Sequence, residues 1–108
     1  MNEEQDLIYN KILSEHNFNE PQLVQIRRGL IDNIDVSLYA KPEFNFFQMG
    51  EIRVGLQKGL DVSWYAKPEF TVEQMRKIRE GLIRNLNVSW YAKPEFNWRQ
   101  MDVIYSGL

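Results

Sequence analysis

"DVSWYAKPEFTVEQM" (residues 61–75) decides the fold, because the chain writes it three times. It appears as "DVSLYAKPEFNFFQM" at 35–49 and as "NVSWYAKPEFNWRQM" at 87–101. The spacing is constant: Phe18, Phe44, Phe70 and Phe96 are 26 residues apart, and so are Gln22, Gln48, Gln74 and Gln100. Ile26, Ile52, Ile78 and Ile104 keep the step, as do Gly29, Gly55, Gly81 and Gly107, and Leu30, Leu56, Leu82 and Leu108. A fixed period of 20–50 residues is the signature of stacked supersecondary units, none of which can bury its apolar face alone.

Each copy predicts two helices. The longer starts at Asn19, Asn45, Thr71 or Asn97, residues whose side chains accept from an orphan N–H of the first turn. Gln follows three residues later each time, which completes a capping box, and the Phe before each cap pairs with Leu23, Met49, Met75 or Met101 as a hydrophobic staple. Met49, Ile52, Leu56 and Leu60 recur at the 3–4 spacing of one buried stripe. Asn33, Gly59 and Asn85 mark the stops, since Asn and Gly tolerate the left-handed conformation beyond a helix end. A shorter helix follows Asp35, Asp61 or Asn87, runs through Val-Ser-Trp-Tyr-Ala for under two turns, and ends at Pro42, Pro68 or Pro94. So short a helix needs packing to persist, and Val62, Trp64 and Tyr65 are expected to supply it.

The expected architecture is all-α: tandem short–long helix-hairpin repeats in a compact array or small α-solenoid, forming a single repeat domain over 1–108. Within it, 1–17 form an N-terminal capping helix and 18–34 a half repeat. Repeats follow at 35–60 and 61–86, with a terminal repeat at 87–108. Helix 3–15 is expected to turn Leu7, Ile8, Ile12 and Leu13 inward and to carry charged outer residues. The 108 residues, 44% hydrophobic and 26% charged, suit one soluble domain. There are no cysteines and the net charge is −2, so thiolate chemistry is excluded and nothing pulls the whole chain toward nucleic acid. No apolar run approaches a membrane span, and the acidic start is unlike a secretory leader. A cytoplasmic place in a bacterial cell is expected.

The strings "QMGEIRVGLQKGLDVSWYAKPEF" and "QMRKIREGLIRNLNVSWYAKPEF" resemble a short tandem repeat of uncharacterised Firmicutes, phage and mobile-element proteins. Its unit is similar to Q-M-x-E-I-R-x-G-L-x-x-G-L-D-V-S-x-Y-A-x-P-x-F. The resemblance covers about residues 18–108 and departs at Asn85–Asn87, where Gly-Leu-Asp is usual. It carries no assigned chemistry. It implies a cytosolic bacterial or phage origin and an accessory or interaction role, for which inhibition of a host defence complex such as an RNA-guided nuclease is the form expected.

Catalytic signals are weak. The single histidine, His16, occupies a loop position held by Pro in the other copies, and a general base needs a positioned partner. Carboxylates are scattered rather than clustered as metal ligands, and no cofactor or metal is expected. The recurrent glycines fall within helices rather than between strand and helix, so no phosphate loop exists. Gly55 is expected to make room for a neighbouring helix or a Trp ring.

Two polar patterns remain. Arg27, Arg53 and Arg79, with Lys41, Lys67, Lys93 and the Tyr39/Tyr65/Tyr91 series, form a ladder suited to a phosphate backbone with stacked bases. Glu43, Glu69 and Glu95 recur beside it, which makes an Arg–Glu lattice between units the competing reading. The other pattern is the outer arc of the long helices, expected to face solvent and differing from copy to copy. Candidate partner-binding residues are Phe46, Phe47, Glu51, Val54, Lys58, Arg76, Lys77, Glu80, Arg84, Trp98, Arg99 and Tyr105, with the aromatics as anchors. The leading expectation is a non-enzymatic module that binds a protein. The alternatives are nucleic-acid binding through the ladder and self-association through the terminal repeat, with no membrane role.

Overall fold

The computed structural model describes residues 1–108, and every regular element in it is helical. Five α-helices, α1 (Glu3–Glu15), α2 (Glu20–Ile31), α3 (Phe46–Gln57), α4 (Val72–Ile83) and α5 (Trp98–Ser106), pack in chain order, each on the next. One 3-10 turn precedes each of the last three: Val36–Leu38, Val62–Trp64 and Val88–Trp90. The molecule measures 47 × 23 × 16 Å. Its radius of gyration, 14.7 Å, exceeds the roughly 13 Å of a spherical domain of this length, as a row of helices requires.

The start signals act as their chemistry predicts. Asn19, Asn45, Thr71 and Asn97 each accept from the backbone N–H of the Gln three residues on, and that Gln side chain accepts from the cap's own N–H. Asn2 and Gln5 build a fifth such box on α1. The stops are equally local. Asn33 (φ 58°), Gly59 (φ 71°) and Asn85 (φ 58°) adopt the left-handed conformation. In the first of them Asn33 N–H donates to the Leu30 carbonyl and Ile34 N–H to the Gly29 carbonyl, the paired bonds of a Schellman motif.

The short helix is shorter than expected. Three residues form a 3-10 turn capped by Asp35, Asp61 or Asn87, whose Oδ1 accepts from the N–H and hydroxyl of Ser37, Ser63 or Ser89. Tyr39, Tyr65 and Tyr91 leave helical geometry at φ near −134°. Each Pro then sits second in a turn closed by Phe N–H donating to the Lys carbonyl, as in Phe70 to Lys67 at 3.1 Å, the place where a fixed φ is pre-set for a β-turn.

The core is one continuous cluster. Ile26, Met49, Ile52, Met75, Ile78 and Met101 line the helix stripe, and Val36, Val62, Val88, the three tyrosines, Phe44 and Phe70 close over it. No helix is long and apolar enough to cross a membrane.

Candidate interaction surface

The glycine–tyrosine contact fixes everything around it. Tyr39 Oη donates to the Gln25 carbonyl at 2.6 Å, Tyr65 Oη to that of Glu51 at 2.7 Å and Tyr91 Oη to that of Lys77 at 2.9 Å. Each hydroxyl reaches the helix beside Gly29, Gly55 or Gly81, where a Cβ would collide with it and crowd the Val of the same turn. The expected close packing is therefore present, made by Tyr and Val rather than by a neighbouring helix or Trp ring. Burial raises the ionisation of Tyr39 and Tyr65 far above the usual phenol range and that of Tyr91 to about 12.

The capping glutamines grip the same loop. While Gln48 Oε1 accepts from Asn45 N–H, its Nε2 donates to the Pro68 and Phe70 carbonyls at 3.1 and 2.8 Å. Gln22 does so toward Pro42 and Phe44, and Gln74 toward Pro94 and Phe96. One side chain thus starts its own helix and fastens the loop that leads into the next.

Tryptophan goes the other way. Trp64 and Trp90, expected to pack, are 39% and 62% exposed, and Leu38 at the matching position is 41% exposed. Their neighbours Tyr65 and Tyr91 are fully buried. Leu38, Trp64 and Trp90 therefore repeat one exposed apolar group at the third residue of successive turns. The sequence carried a signal for this: the Tyr that follows is constant, whereas this position holds Leu once and Trp twice, a volume change that a packed core resists.

The outer arc is where expectation and structure part most. Glu51, placed in solvent by the helical wheel, is buried, and it accepts from Arg76 Nε at 2.8 Å and from Arg79 Nη1. Lys77 Nζ donates to Asp102 Oδ1 at 2.8 Å and to Glu80 Oε2 at 2.9 Å, and lies 4.6 Å from the centre of the Tyr105 ring. Desolvation opposes the charge on Lys77, but the hydrogen bonds to Asp102 and Glu80 outweigh it and leave its pKa raised. At the corresponding place between α2 and α3, Gln25 Oε1 accepts from Arg53 Nε at 2.8 Å, and Gln25 Nε2 lies close against Gly50. These arcs are seams between successive helices, because a helix in a row has a neighbour on each side. Val54 is half-buried for the same reason.

The remaining candidates divide by exposure. Arg84 Nη1 donates to Tyr105 Oη at 3.0 Å, and the Tyr105 ring packs edge-on to Tyr91. Phe46 is half-buried, edge-on to Phe47, which is 64% exposed. Phe47 stands at the lip of a groove of about 540 Å³ that runs past Pro68, Thr71, Val72 and Arg76. Trp98 is exposed, with the Arg99 guanidinium 5.5 Å from its ring, and Lys58 is exposed at the end of α3.

The ladder comes apart. Its tyrosines are buried and cannot stack on bases. Arg27 is bound to Tyr9 and Glu20, Arg53 to Gln25 and Gln57, and Arg79 to Glu51. Lys41, Lys67 and Lys93 remain exposed. Glu43, Glu69 and Glu95 make no ion pair, so the Arg–Glu contact between helices runs through Glu51 instead. His16 lies beside a groove of about 440 Å³ between α1 and the first 3-10 turn. No three His, Asp or Glu side chains converge as metal ligands. No protein-family model, curated protein or solved structure matches the chain.

Proposed function

We propose that the chain is a single domain of tandem helical repeats and that it acts by binding another protein, without chemistry of its own. The observation that carries this reading is the exposed apolar series Leu38, Trp64 and Trp90; Phe47 adds an exposed aromatic at a groove that none of the three lines. Large aromatics left in water beside Tyr39, Tyr65 and Tyr91, which the chain buries completely, are the anchor type of protein interfaces. The titratable side chains offer little else, since the buried and half-buried ones are spent on joints and seams. Successive repeats then serve as a ruler, presenting one anchor per unit along an elongated body. The resemblance to mobile-element repeats is consistent with an accessory or inhibitory role in which the partner is a host protein.

Two of the chain's three tryptophans belong to this series, and the third, Trp98, is exposed at the start of α5. The test is affinity capture from a bacterial lysate with the natural chain and with Trp64→Ser/Trp90→Ser, whose melting temperature is checked in parallel. A stoichiometric protein retained by the former and lost by the latter at unchanged stability is the expected result. Equal capture by both, or salt-sensitive nucleic acid in place of protein, contradicts the reading.

A further inference from the structure

We infer that the groove between the starts of α3 and α4 binds an arginine side chain presented by the partner protein. The inference rests on the protein-binding role proposed above and gives that partner a chemical feature. Phe47, in the first turn of α3, stands on the groove with its ring largely in water. Glu69, in the loop before α4, and Glu73, in the first turn of α4, bring two exposed carboxylates to the same lining. Pro68 and Val72 add apolar surface beside them.

The uncommitted charge of this groove is acidic. Neither Glu69 nor Glu73 makes an ion pair. Arg76 is the one cation on the lining, and its Nε is already held by Glu51 Oε1 at 2.8 Å. Two carboxylates against one guanidinium leave the lining net negative. A flat cation answers the whole set, because a guanidinium stacks on an aromatic face and donates to carboxylates in its own plane, which an ammonium cannot do at once. Its carbon stem has Pro68 and Val72 to lie along. The neighbouring steps of the repeat lack this set. The pair Phe47 and Glu73 is replaced by Pro21 and Phe47 one step earlier and by Glu73 and Arg99 one step later. The constant loop Glu is therefore joined by both a ring and a second carboxylate at one step only.

The experiment titrates the isotope-labelled 108-residue chain with the peptide acetyl-Gly-Arg-Gly-amide and follows backbone amide shifts. Saturable shifts at Phe47, Glu69 and Glu73 are expected, weakening as salt is added. The matching citrulline peptide, similar in shape but uncharged, should bind at least about tenfold more weakly, and the natural peptide should lose as much on Glu69→Gln/Glu73→Gln. Phe47→Ala should cost about threefold. These substitutions change exposed side chains only, and melting temperatures measured in parallel verify the fold. No saturation up to about 10 mM peptide, shifts confined to other segments, or equal binding of the citrulline peptide overturns the proposal, as does an unaffected double variant. Equal binding of the matching lysine peptide overturns the assignment to arginine. Failure of these titrations while the partner is still captured through Trp64 and Trp90 defeats this site alone. Failure of that capture while the arginine peptide binds as described defeats the tryptophan surface and leaves the groove standing.

Discussion

The joints and the seams of this molecule obey opposite rules. At the joints, Gly, Tyr, Gln, Pro and Phe are constant from copy to copy, and each makes the same contact at each step. At the seams the sets change: Gln25 meets Gly50 and Arg53, Glu51 meets Arg76 and Arg79, and Lys77 meets Asp102 and Tyr105, with only the Arg of the first two seams in common. Charge even reverses between the second and third seams. The lesson is that variation along a repeat does not by itself mark a recognition face. Here the seam residues vary as complementary sets, each fitted to its own neighbour, and the exposed anchors sit inside the constant segment.

Alkaline titration attacks the joints together and has the largest expected effect. Burial raises the folded pKa of Tyr39, Tyr65 and Tyr91 above the unfolded value near 10. The unfolded chain therefore loses these protons first, and stability is full below about pH 10 and falls above it. Each tyrosine contributes a slope of about 1.4 kcal/mol per pH unit once it is ionised in the unfolded state only. Lys77, with its raised pKa, adds loss in the same direction. Chemical denaturation between pH 8 and pH 12 measures the sum, and Tyr65→Phe should remove one tyrosine's share of the slope. An unchanged slope in that variant would take the tyrosines out of the account.

The seams break by charge. Glu51→Lys sets a third positive charge against Arg76 and Arg79 at a buried position and should cost about 3 kcal/mol. Adding Arg76→Asp and Arg79→Tyr rebuilds the set found between α4 and α5 and should recover most of that loss. Failure of the triple variant to exceed the single one in denaturant midpoint would show that the seams are not interchangeable sets. Tyr65→Phe at neutral pH is gentler. It removes one hydroxyl bond to a carbonyl that keeps its helical donor, at about 1 kcal/mol.

Much of the scaffold was legible because it is local. An N-cap, a Gln three residues on and an Asn or Gly stop lie within one helix, and their geometry follows from the residues alone. What escaped depends on partners far along the chain. Glu51 counts as a solvent residue on any helical wheel until Arg76, 25 residues later, is brought against it. The short helix stops after three residues, where each Tyr leaves helical geometry with its hydroxyl bonded to a carbonyl 14 residues back. Hydrophobicity alone places Trp64 in the core, but it is the adjacent Tyr65 that is buried, while Trp64 stays 39% exposed.

The most direct test of the joint sets two identical substitutions side by side. Gly55→Ala and Gly107→Ala place the same methyl on the same position of the repeat, one beneath Tyr65 and one in solvent. Helix propensity favours Ala by up to about 1 kcal/mol at Gly55, inside α3, and by less at Gly107, which caps the end of α5; overpacking opposes Ala only at Gly55, by about 1–3 kcal/mol or more. Urea denaturation of the two variants should therefore give opposite signs, with Gly55→Ala less stable than the natural chain and Gly107→Ala equal or more stable. Equal shifts in the same direction would contradict the joint described here.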